Sequence, residues 1–122
     1  MNKIFIFKKT YSGLNYDIVT VNIPLTVKIC SFYPNQNEMD DNKHSIIENL
    51  IEETVKEELF QRNIDGIYYH TFDFLKDIWH KLNVNLEEYK YYIVDLYIGD
   101  EVITDDANYI SNINKYFENT KH

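Results

Sequence analysis

Asp73, Asp77 and His80 are spaced by four and three residues, so a helix through them carries two carboxylates and an imidazole on one face. Such a set can hold a divalent cation or exchange protons with a substrate. His70 stands three residues before Asp73, and an imidazole beside a carboxylate can move a proton near neutral pH. The same stretch has a simpler explanation. Phe74, Leu75, Ile78, Trp79 and Leu82 form one apolar stripe, and any helix with such a stripe needs a polar opposite face, here shared with Lys76 and Lys81. Cys30 is the only cysteine; it could act as a nucleophile helped by His70, but a lone strand cysteine more often packs as a small apolar residue.

Other chemistry is excluded by what the chain lacks. Its three glycines, Gly13, Gly66 and Gly99, are too far apart to form a phosphate-cradling loop. There is no cysteine pair, no His-Glu-x-x-His and no Gly-x-Ser-x-Gly. The acidic start at Asp40 lacks the central glycine and closing glutamate of a calcium loop. No cofactor is expected, and a small metal-dependent or acid–base enzyme using His70, Asp73, Asp77 and His80 stands only as the alternative, beside a domain that sequesters a small ligand with its tyrosines and Trp79.

Charge is the stronger signal. The net charge is −8, yet residues 1–36 sum to +3, which leaves −11 on the remainder. Glu48, Glu52, Glu53, Glu57 and Glu58 crowd one segment with only Lys56 among them. Between Lys90 and Lys115 there is no base, while Asp95, Asp100, Glu101, Asp105 and Asp106 accumulate. Ordered carboxylates can imitate a phosphate path and occupy a basic groove, or steer a cationic partner. The plainer reading is a solvated helix face. Tyrosine is the other excess, 11 of 122 residues. If even positions of a strand over 91–98 face the core, Tyr91, Ile93 and Tyr97 look outward around Asp95, as contact residues would. The partner-binding set is therefore Glu52, Glu53, Glu57, Tyr91, Asp95, Tyr97, Asp100, Glu101 and Asp105.

The elements that would position these residues follow from periodicity. Lys3–Lys8 reads as a buried strand; residues 16–23 and 25–30 alternate as two more, separated by Pro24, with the first turn around Gly13. Ser45 and Glu48 have capping-box spacing ahead of a helix to about Arg62. Thr71 is placed to cap a second helix that stops at Asn83, and Asn85–Tyr89 suits a short further turn. Residues 91–98 and 101–104 form a hairpin across Gly99-Asp100. Thr104 or Asp105 then caps a last helix carrying Tyr109, Ile110, Ile113, Tyr116 and Phe117. The order βββ-αα-ββ-α predicts a single α+β domain: an antiparallel sheet of about five strands packed against three helices.

Composition sets the functional expectation. With one Ala, one Arg and abundant Ile, Asn, Lys and Tyr, the chain has the bias of AT-rich coding DNA, as in a low-GC bacterium, its phages or its mobile elements. A single cysteine and no long apolar run point to the bacterial cytoplasm and no membrane span. The acidity disfavours direct nucleic-acid binding and favours a protein partner with a basic surface. The expectation is a non-enzymatic inhibitor, such as a phage anti-defence protein of the anti-CRISPR kind or a toxin-immunity protein. An edge strand could also pair with a second copy to form a homodimer.

Overall fold

In the computed structural model, residues 3–14, 20–33, 38–65, 71–99 and 101–104 are described. They form β1 (Phe5–Leu14), β2 (Thr20–Ser31), α1 (Asp41–Asp65), α2 (Thr71–Glu87), β3 (Tyr91–Ile98) and β4 (Glu101–Thr104). The strands make one antiparallel sheet in the order β1-β2-β3-β4. Alternation decides which face each side chain takes. Phe5, Phe7 and Tyr11 of β1 are buried, whereas Ile4 and Ile6, in the opposite phase, are exposed. Ile23, Leu25, Val27 and Ile29 continue the inner face on β2. Both helices cover that face: Ile47, Ile51 and Val55 of α1 and Phe74, Ile78, Leu82 and Leu86 of α2 join the sheet in one core. Each such side chain fully removed from water contributes about 1.5–3 kcal/mol.

The α+β class and the antiparallel sheet match the sequence reading, with differences in count and boundary. The described residues hold four strands and two helices, not five and three. The predicted second and third strands are one, because Pro24 does not interrupt β2. It lies opposite Thr10, one residue beyond the end of the β3 pairing at Leu25, so β2 is unpaired on its β3 flank there, the kind of position where a strand accommodates a proline. β1 runs on through Gly13 instead of turning at it. The last predicted helix, with Tyr109, Ile110, Ile113, Tyr116 and Phe117, lies outside the described residues.

Two local features reset the predicted boundaries and faces. Helix α1 starts earlier than Ser45, because Asp40 Oδ1 accepts the Lys43 N–H at 2.7 Å and caps it. In β3, Lys28 lies opposite Asp95 but Ile29 lies opposite Ile93, so Val94 is an extra residue. That bulge shifts the phase of the strand. Tyr91 and Ile93 therefore join Leu96 and Ile98 on the inner face, and Tyr91, expected to look outward, is 1% exposed.

Asn83 does not stop α2. Pairing with β4 ends at Asp95, and the Ile93 N–H beyond it is taken by Asn83 Oδ1 at 2.8 Å, which ties the helix to the sheet. The helix ends four residues later; Lys90, at φ 67°, makes the turn straight into β3. At the other end Gly99, at φ 58°, supplies the positive φ for the expected turn from β3 to β4. Replacing Asn83 by Ala strips the Ile93 N–H of its acceptor. Urea unfolding should show a loss of about 1–3 kcal/mol; an unchanged midpoint would mean the bond carries no weight.

Candidate functional site

Helix α1 brings five glutamates to the fold, and their environments differ sharply. Glu58 is buried between the two helices. Its carboxylate accepts a bond from Arg62 Nε at 3.1 Å and another from Lys81 Nζ, which reaches across from α2. Arg62, itself buried, also donates through Nη2 to Asp77 at 2.5 Å and lies over the Phe74 ring, 5.6 Å from its centroid. A carboxylate removed from water demands such partners. The seam continues one turn back, where Asn85 Nδ2 donates to Thr54 Oγ1 at 3.1 Å and Thr54 Oγ1 donates to the Leu50 carbonyl at 2.8 Å.

Glu52 is committed in another direction. It pairs with Lys9 of β1 and with Lys56 at 3.1 Å. Hydrogen bonds from Lys9 and then Lys56 hold its carboxyl below the usual range. Among the described residues Glu48 meets only His44, at 3.5 Å, with both side chains largely in solvent. Glu53 and Glu57, four residues apart, are exposed and make no ion pair with another described residue. Phe60, one turn beyond Glu57, is 65% exposed. Across the groove between the helices, which Glu57 lines with His80, stands Val84, 70% exposed.

The second acidic cluster is not continuous with the first. Asp95 and Tyr97 lie on the outer face of the sheet, away from the helices, opposite Lys28 and Thr26. Lys28 is 4.9 Å from the centre of the Tyr97 ring, so this patch contains its own cation. Glu101 opens β4 opposite Ile98, while Asp100 and Asp105 lie outside the described residues. Tyr91 is in the core. Of the predicted contact set, the fold thus leaves Glu53 and Glu57 together on one face, Glu52 tied to two lysines, and Asp95 with Tyr97 on the opposite side.

The α2 constellation is also divided. Asp77 is the partner of Arg62, Asp73 and His80 are exposed, and His70 lies outside the described residues. Among the described residues no three His, Cys, Asp or Glu side chains gather as a metal site. Cys30 is buried on the outer phase of β2. Burial pushes its thiol up; the Tyr92 hydrogen bond works the other way, and Asp95 adds to the rise. Such a thiol is a poor nucleophile at neutral pH. No described helix is long and apolar enough to cross a membrane.

Sequence reasoning treated Arg62 as incidental and Glu58 as surface. The available signal was i,i+4 spacing of the chain's single Arg with a Glu on the Leu59-bearing helix; the reach to Lys81 and Asp77 depends on how α2 packs. Comparison with known proteins adds no relative to this geometry: no family model, no curated protein and no solved structure matches the chain.

Replacing Arg62 by Ala would leave Glu58 with one partner and Asp77 with none of its present cation. Stability should fall by about 2–4 kcal/mol in urea unfolding, since breaking a buried pair strands a charge. A loss below ~0.5 kcal/mol, the range of an ordinary surface pair, would show that the network does not hold the helices together.

Proposed function

We propose that the chain is a non-enzymatic inhibitor that binds a protein partner, docking the exposed face of α1 on a cationic surface. The observation that carries this reading is that Glu53 and Glu57 stand four residues apart with neither in an ion pair with another described residue, and with Phe60 and Val84 left open to water beside them. Like charges at i,i+4 cost a helix a few tenths of a kcal/mol, and large exposed apolar side chains add nothing to an isolated fold. Both features become favourable when a basic, partly apolar surface covers them: the carboxylates speed and orient the encounter, and the apolar groups supply buried area.

A cationic partner surface of this kind is what a nuclease or another nucleic-acid enzyme presents to phosphates. The chain's acidity, AT-biased composition and lack of catalytic motifs fit an anti-defence protein of a phage or mobile element, including the anti-CRISPR kind, or an immunity protein for a toxin. The contact area assigned here is the α1 face alone, because Asp95 and Tyr97 point to the other side of the sheet.

The test uses the tagged chain and its Glu53→Lys/Glu57→Lys variant as baits in nuclease-treated lysate of a low-GC bacterium. The expected result is a basic protein held by the wild-type chain, released by about 0.5 M salt as screening shortens the reach of the charges, and not held by the variant. Retention of the same proteins by both baits, with the variant folded, would contradict the proposal.

A further inference from the structure

A cavity of about 170 Å³ opens between β1 and α1, on the flank of α1 away from α2. Of its lining, Tyr11, Val27 and Ile51 are buried and form an apolar floor, while Glu48, His44, Lys8 and Lys9 are exposed and stand at its mouth. We propose that this cavity binds a primary ammonium group carried on a short apolar stem, with the stem on that floor and the head on Glu48. This does not rest on the inhibitor reading, since it concerns a different flank of the helix and a different kind of ligand.

Three observations carry it. The volume suits a four-carbon stem; an apolar cavity of about 150 Å³ is enough to take up benzene. The protein already places one such group on the cavity's own lining: the Lys9 ammonium lies 5.7 Å from the centre of the Tyr11 ring and pairs with Glu52, which neutralises it. Glu48, one turn before Glu52, offers the same carboxylate but among the described residues has only the 3.5 Å contact to His44. An ammonium there would gain a charge-assisted hydrogen bond from its head to Glu48 and apolar contact for its stem.

The Tyr11 phenol is pushed up to about 12, first by burial and then by Glu52 and Glu48, so both carboxylates are felt at the ring that floors the cavity. Lys8 also lines the opening. It belongs to the outward phase of β1 with Ile6 and is exposed, so its charge is solvated.

An alkylammonium can come from a free amine or from a lysine side chain of another protein, and the probes separate the two. The ¹⁵N-labelled chain is titrated at pH 7 and constant ionic strength with n-butylamine, n-butanol, butyrate and Nα-acetyl-lysine methylamide, following backbone amide shifts. Saturable shifts at Tyr11, Val27 and Ile51 with butylamine, no saturation with butyrate, and about tenfold weaker binding to Glu48→Gln are expected. Equal response to the lysine derivative would identify a protein side chain as the source; response to butylamine alone would identify a free amine. No saturable shift with either ammonium, equal affinity for butanol, or unchanged affinity in folded Glu48→Gln would overturn the proposal.

Discussion

A carboxylate buried between two helices has to be met by cations, and the arrangement around Glu58 follows from that requirement. Arg62 meets it from one turn along α1, Lys81 from α2, and Asp77 holds the second arm of Arg62. The same four side chains fix how the helices face each other, and so where the apolar stripe of α2 falls on the sheet. The ion pair is not a large net source of stability, because desolvation offsets most of the attraction. Its value lies in register: a helix slipped by one residue would cost Glu58 its bond from Lys81 and Arg62 its contact with Asp77, the two links that cross between the helices. Charge satisfied inside the seam also determines which glutamates remain outside it.

Much of the fold was legible because it rests on short-range periodicity. The stripe Phe74, Leu75, Ile78, Trp79 and Leu82 needs only its spacing to be read as a buried helix face, and every member is buried. The turn at Gly99 needs only a residue that accepts positive φ. What was not legible depends on partners distant in sequence. Pro24 looks like a strand break until the short reach of β3 is known. Tyr91 looks outward under strict alternation, and only the pairing with β2 shows that Val94 is an extra residue. Asn83 resembles a helix stop until its side chain is seen to serve the Ile93 N–H. The glutamates of α1 look alike in sequence because the cations that separate their roles, Lys9 and Lys81, come from β1 and α2.

That separation changes how the acidic composition is understood. A net charge of −8 suggests one negative surface, but the fold distributes it. Glu58 works in the seam, Glu52 ties α1 to β1, and Asp95 stands near Lys28 behind the sheet. The charge that remains for a partner is local, on the solvent ridge of α1, and is accompanied by exposed Phe60 and Val84. On the other flank of the same helix, the Lys9–Glu52 pair sits beside the cavity at Tyr11. One helix thus supplies an internal lock and carries both of the proposed outward-facing sites, and each glutamate is distinguished by the described neighbours it has.

The central claim is that Glu53 and Glu57 are surplus to the fold, whereas Glu58 is required by it. Urea unfolding of Glu53→Gln/Glu57→Gln and of Glu58→Gln, measured side by side, tests it most directly. The account predicts that the double variant is as stable as the wild-type chain, or more so by a few tenths of a kcal/mol, while Glu58→Gln loses about 2 kcal/mol or more as two cations lose their shared acceptor. A double variant that loses more than ~1 kcal/mol, or a Glu58→Gln chain of unchanged stability, would contradict the division of roles on which the account stands.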